Sequence, residues 1–293
     1  MRNAAASTWR TGLHVALCAV LVTLCVSATA QQRSIALPDL RSGSAYMGAD
    51  LKTMQADDFA NPGMLWVEKG EKLWHAQAGT AAANTASSTA ASAASATAMS
   101  SAGGPKACAT CHSDAKSSMR GVAARYPLFD AKTKQVLNLE GRINQCRSQR
   151  QGAAALTYES EELLALTAYV AHQSRGMPLN VSIDGAAQPH FDNGRAQYQR
   201  RIGQMNLACM HCHEWNAGKR LLAEPISQGH GNAYPVYRLE WQAAGSLHRR
   251  LRACYFGVRA EMPQPGSQEL LDLELFLGWR AQGLAVETPG VRR

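Results

Sequence analysis

Cys108-Ala109-Thr110-Cys111-His112 and Cys209-Met210-His211-Cys212-His213 share one pattern, Cys-x-x-Cys-His, at a spacing of 101 residues. The sequence around them recurs as well. Lone cysteines follow at Cys146 and Cys254, 108 residues apart. Glu162-Leu163-Leu164-Ala165-Leu166-Thr167-Ala168-Tyr169-Val170 matches Glu269-Leu270-Leu271-Asp272-Leu273-Glu274-Leu275-Phe276-Leu277 at a spacing of 107, and Gly176 and Gly283 close the two stretches at that same spacing. Upstream, Gly70-Glu71-Lys72-Leu73-Trp74 corresponds to Gly194-Arg195-Ala196-Gln197-Tyr198. Each unit runs opening helix, Cys-x-x-Cys-His, lone cysteine, closing helix, which is the signature of an internal repeat. Leu163, Leu164, Leu166, Tyr169 and Val170 form an apolar face at helical spacing, and Leu270, Leu271, Leu273 and Phe276 form another.

The spacing carries its chemistry. Two thiols one helical turn apart can bond both vinyl groups of a haem, and the next histidine then offers its imidazole to the iron. Haem c is therefore expected at two sites. Cys108, Cys111, Cys209 and Cys212 would attach it, and His112 and His213 would ligate the irons. The fold expected is mainly α, with two tandem cytochrome c-like domains arising from an internal duplication. The first spans 66–180, the second 181–293, and an N-terminal extension covers 31–65. A four-thiolate zinc site is the rival reading. It leaves the histidine after each pair without a purpose, as do three disulfides.

Residues 1–30 have the layout of a secretory signal. Arg2 and Arg10 precede the apolar run Thr11 to Val26, and Ala28-Thr29-Ala30 fits the cleavage rule. The run is shorter than the ~18 residues a spanning helix needs. No membrane span is expected after cleavage, and the expected location is the periplasm. Eight cysteines become six once Cys18 and Cys25 leave. The formal charge of +8 suits small anions or acidic partners. No basic stripe interleaved with aromatics points to nucleic acid. The Ala/Ser/Thr tract at 79–104 has little to bury and is expected to be a surface loop within the first domain.

The sixth iron ligand is commonly methionine in cytochrome c domains. Met262-Pro263 offers one in the second unit, but Met119 and Met177 are badly placed in the first. The feature common to both units is the lone cysteine. Cys146 and Cys254 are thus the expected sixth ligands, Met262 the runner-up, and a Cys146–Cys254 disulfide the bland alternative. A thiolate ligand lowers the reduction potential. Should the segment be helical, Arg250 shares a face with Cys254 at i, i+4. Its guanidinium could hold an oxyanion there, with Arg249 and Arg252 adding to the field. Arg142 stands in the same relation to Cys146. Backbone-bonding or surface roles are expected for His211 and His230.

Taken together these residues resemble the SoxA family, the dihaem subunits of periplasmic SoxAX cytochromes. The resemblance includes Met54-Gln55-Ala56-Asp57-Asp58-Phe59-Ala60-Asn61-Pro62-Gly63, both Cys-x-x-Cys-His motifs, Asn144-Gln145-Cys146-Arg147 and Arg250-Leu251-Arg252-Ala253-Cys254. It implies an L-cysteine S-thiosulfotransferase that joins thiosulfate oxidatively to a cysteine of the carrier SoxYZ. The products would be an S-thiosulfonate and two electrons for haem c. SoxX, a monohaem cytochrome, would be the partner subunit. The resemblance also makes Cys254 the catalytic cysteine, found as a persulfide in the family, and Arg250 the substrate-binding arginine. The alternative function is a dihaem electron carrier without thiosulfate chemistry.

Overall fold

The computed structural model describes residues 34–79 and 104–293. The signal reading of 1–30 and most of the 79–104 tract lie outside the described residues. After 3₁₀ turns at Leu37–Asp39 and Gly43–Tyr46, the first half comprises α1 (Ala49–Ala56), α2 (Met64–His75), the motif helix α3 (Cys108–His112) and α4 (Ala115–Ser118). A hairpin of β1 (Leu128–Asp130) and β2 (Gln135–Leu137) leads into α5 (Leu139–Cys146), a π-helical turn and α6 (Glu161–His172). The second half repeats the order. It has α7 (Gln188–Gln199), the motif helix α8 (Cys209–His213), a short hairpin β3 (Arg220–Leu221) and β4 (Glu224–Pro225), then β5 (Val236–Arg238), β6 (Ala243–Gly245), α9 (Leu247–Gly257), α10 (Gln268–Arg280) and β7 (Gly290–Arg292).

Local chemistry sets the helix starts. Ser160 and Ser267 accept hydrogen bonds from the backbone N–H groups of Leu163 and Leu270, capping the two closing helices α6 and α10. Asn138 and Ser246 cap α5 and α9 in the same way. In each half the opening helix crosses the closing helix at a glycine. A Cβ on Gly70 would stand 2.1 Å from the Ala165 carbonyl oxygen, and one on Gly194 would stand 2.0 Å from that of Asp272. Only glycine allows backbones to approach this closely.

The halves interlock. Trp66 on α2 lies 5.8 Å, ring to ring, from Tyr237 on β5. Reciprocally, Val136 on β2 belongs to the buried cluster of Phe191, Tyr198, Leu273, Leu275 and Phe276 on α7 and α10. Each hairpin thus packs on the other half's helices, and residues 35–293 form one compact unit. β5 is central in its sheet, antiparallel to β6 and parallel to β7, with Arg238 opposite Arg292. Residues before α2 are tied to this sheet end. Asn61 donates to the Pro289 carbonyl at 2.9 Å, and Val291 N donates to Gln55 Oε1 at 3.0 Å. Among the described residues, no helix is long and apolar enough to cross a membrane.

Between the hairpins lies a buried polar cluster. His248 Nε2 is 2.9 Å from Glu274 Oε2, while Gly266 N donates to its Nδ1 at 3.0 Å. Tyr158 stacks on the His248 ring at 5.7 Å and donates to Asn138 Oδ1 at 2.9 Å. Asn138 Nδ2 in turn donates to Glu274 Oε2 at 3.1 Å. Glu140, 7 % exposed, faces Glu274, His248 and Glu159.

Candidate functional site

In the second half, α8 and α9 bring four donors together. His213 is the last residue of the motif helix, and its Nδ1 lies 2.9 Å from the Ser227 carbonyl oxygen. That bond commits Nδ1 as donor and leaves Nε2 as the lone-pair nitrogen, the tautomer a metal ligand requires. The loop carrying Ser227 is anchored by buried Arg280, which donates to the Gln228 carbonyl at 3.1 Å. Gly229 has φ +74°, and a Cβ there would stand 2.8 Å from His213 Cγ, so the backbone lies flat against the imidazole. Cys254, on α9, is hydrogen-bonded by the His213 side chain and lies close enough to Cys209 and Cys212 to act on both electrostatically.

The charges around Cys254 are unusual for a thiol. Burial opposes its ionisation, but the His213 side chain beside it and the guanidinium groups of Arg250 and Arg238 outweigh it, and its pKa falls below the ordinary value. Burial pushes Cys108, Cys146 and Cys212 upward, and Cys209 reaches about 11. Arg250 sits one turn before Cys254 on α9, and among the described residues its side chain makes no hydrogen bond or ion pair.

The first half gathers the equivalent residues with a different outcome. Cys146 lies near both Cys108 and Cys111. His112 is exposed, 5.8 Å from the Trp74 ring, and Trp74 Nε1 donates to the Ser113 carbonyl at 3.0 Å. Arg142, one turn before Cys146, is fully engaged. It meets Asp130 Oδ1 at 3.1 Å, donates to Tyr126 Oη at 2.9 Å and bonds Gln145. Burial would raise the Asp130 carboxyl, but hydrogen bonds from Thr133, Gln145 and Arg142 hold it down at about 2.

All six described cysteines are unbridged, so the Cys146–Cys254 disulfide is not formed. Among the described residues no group of three or more His, Cys, Asp or Glu side chains is arranged to hold a metal ion unaided, so the four-thiolate zinc arrangement is not there. The facing pair His213 and Cys254 instead fits a metal that brings its equatorial ligands with it, as haem iron does. Cys209 and Cys212 stand beside that pair, where thioether bonds to such a haem could form. Met262 is 39 % exposed and lines a groove of about 800 Å³ with Arg200, Ile202 and Tyr255.

Residues 92–179 match the family described as SoxA/TsdA, cytochrome c domain. The L-cysteine S-thiosulfotransferase subunit SoxA of Pseudaminobacter salicylatoxidans is 40 % identical over 86 % of this chain and 80 % of its own length. The chain belongs to the SoxA family. A second relative of the same name, from Rhodovulum sulfidophilum, is 35 % identical over 87 % of the chain and 80 % of its own length. The crystal structure of SoxXA from P. pantotrophus includes a similar chain, at a TM-score of 0.75 and 31 % identity over 87 % of each chain. Membership in a cytochrome c family makes covalent haem c the cofactor.

Measured against the sequence, the SoxA-family fold brings Cys209, Cys212, His213, Cys254 and Arg250 into one site, and Cys108, Cys111 and Cys146 into another. His211 bonds the backbone, its Nδ1 accepting from Ala208 N at 3.1 Å. Arg249 lies over the Trp241 ring, 4.2 Å from its centre. The residue missed is Arg238, which acts on Cys254 alongside Arg250, the part the sequence assigns to Arg249 and Arg252. Its signal was available. The repeat at a spacing of 108 extends back through Tyr126-Pro127 and Tyr234-Pro235, placing Asp130 and Arg238 in register.

Proposed function

We propose that the chain is the dihaem subunit of a periplasmic L-cysteine S-thiosulfotransferase, with Cys254 as catalytic cysteine and Arg250 as its substrate-binding arginine. Two cytochrome c-like domains, 66–180 and 181–293, derive on this reading from one duplicated module. Each carries one haem c, attached at Cys108 and Cys111 with His112 and Cys146 as ligands, or at Cys209 and Cys212 with His213 and Cys254. SoxX is the partner cytochrome, and SoxYZ presents the acceptor thiol. The reaction joins thiosulfate to that thiol with a new sulfur–sulfur bond, releasing two electrons and a proton. Haem c, when bound, would supply the acceptor for those electrons.

The protein's own residues do the positioning. Arg250 holds the sulfonate oxygens, which aims the terminal sulfur at Cys254. His213, locked by Ser227, keeps Cys254 oriented. The observation that carries the reading is the Arg250 guanidinium, without a hydrogen bond or ion pair among the described residues, one helical turn from a cysteine beside His213. The first site is the weaker catalyst because Arg142 is already neutralised by Asp130. The test is Cys254→Ala in the haem-loaded complex, with conjugate on the carrier read by mass spectrometry. No conjugate is expected with Cys254→Ala, whereas Cys146→Ala still conjugates. Conjugation by the Cys254→Ala protein would end the proposal.

A further inference from the structure

The two halves align position for position around the lone cysteines. Tyr126 and Tyr234, Asn138 and Ser246, Arg142 and Arg250, and Cys146 and Cys254 are each 108 residues apart. The elements obey the same spacing. β1 and β5 start at Leu128 and Val236, β2 and β6 at Gln135 and Ala243, and α5 and α9 at Leu139 and Leu247. Both hairpins follow a cis Tyr-Pro bond. The side chain at the last position of β1 or β5 therefore leaves the same strand toward the same helical turn. In the first half that geometry brings Asp130 Oδ1 to 3.1 Å from the Arg142 guanidinium.

At the equivalent position the second half carries Arg238. An acid that neutralises the site arginine is replaced by a second cation beside it. We propose that Arg238 is a second thiosulfate-binding residue, and that the Asp130/Arg238 difference selects the Cys254 site over the Cys146 site for this dianion. The inference rests on Cys254 being the catalytic cysteine.

Like charges are not packed together in a half-buried site without a counter-charge. Here Arg238 and Arg250 both lie close enough to Cys254 and Tyr234 to act on them electrostatically. The acid at hand is Glu240, 53 % exposed, which takes Arg238 Nε at 2.7 Å. That is the one side-chain hydrogen bond of Arg238 among the described residues, so its two terminal amines remain available. The Arg238 guanidinium is also held flat over the Trp241 ring, 5.1 Å from its centre. Arg292, its neighbour on β7, is committed to Gln55 and Glu287. Two forked guanidinium groups, one fixed on a strand and one on a helix, form a clamp for a tetrahedral sulfonate. Arg142, with its nitrogens already bonded to an acid, a phenol and an amide, cannot form one.

The experiment uses the haem-loaded complex with SoxX. Binding of labelled thiosulfate is measured by equilibrium dialysis without the carrier, and steady-state conjugation is measured with it. Arg238→Gln is expected to raise both the dissociation constant and the KM for thiosulfate by about ten- to a hundred-fold, the loss of one charge-assisted contact, with kcat nearly unchanged. Arg238→Lys, which keeps the charge but not the fork, should recover part of the affinity. Asp130→Asn should leave the thiosulfate KM as it is. Should the Gln protein fail to load haem, Arg238→Met preserves the packing on Trp241 and serves in its place. Unchanged binding in the Gln protein, or a loss in the Lys protein as large as in the Gln protein, overturns the inference. Arg250→Gln losing thiosulfate while Arg238→Gln keeps it would remove this inference alone. Conjugation by Cys254→Ala would instead remove the reading beneath it.

Discussion

Glu140, second residue of α5, is 7 % exposed and faces two other carboxylates, Glu274 and Glu159. The nearby cation, His248, is already matched to Glu274 at 2.9 Å. Burial first, and the Glu274 charge second, raise the Glu140 carboxyl from 4.5 to about 7. The unfolded chain releases this proton near its ordinary value, while the folded chain holds it until about 7. Stability is therefore full at low pH and declines as pH rises between those two values. Each tenfold difference in proton affinity is about 1.4 kcal/mol, so the carboxyl costs the fold about 3 kcal/mol above pH 7. Glu140→Gln removes the charge and keeps the shape. Thermal unfolding of the haem-loaded protein should show the Gln protein and the parent nearly level at pH 4.5. At pH 8 the Gln protein should melt about 5 °C or more higher, since a kcal/mol is worth about 2–4 °C in a domain of this order. A gain no larger at pH 8 than at pH 4.5 would refute the argument.

Arg142→Gln strips a buried carboxylate of its cation and should cost about 2–3 kcal/mol in denaturant unfolding, yet leave the thiosulfate KM untouched. The stabilisation from Asp130, held at about 2 against an ordinary 3.8, is full above that ordinary value. It is lost as pH falls toward 2, so acid unfolding of the Arg142→Gln protein should begin at higher pH than in the parent. Gly70→Ala and Gly194→Ala each force a Cβ to within about 2 Å of a carbonyl oxygen on the closing helix. Each should lower stability by about 3 kcal/mol, read as an earlier thermal transition.

The sequence by itself determined everything that depends on local spacing. Cys-x-x-Cys-His is a one-turn arrangement, and both copies are one-turn helices. The apolar faces of 163–170 and 270–277 are helical periodicities, and both became the buried closing helices. Arg250 and Cys254 share a helix, so their i, i+4 relation was legible as well. What the tertiary structure alone decided is which groups from distant segments meet. Arg142 and Arg250 stand alike relative to their cysteines, but only the fold brings Asp130 of the hairpin to within 3.1 Å of Arg142. Glu140 and His248, 108 residues apart, share a buried cluster because each hairpin packs on the opposite half. Electrostatic character is set by neighbours in space. A sequence pattern records period and spacing, and does not show which side chains from distant segments will meet.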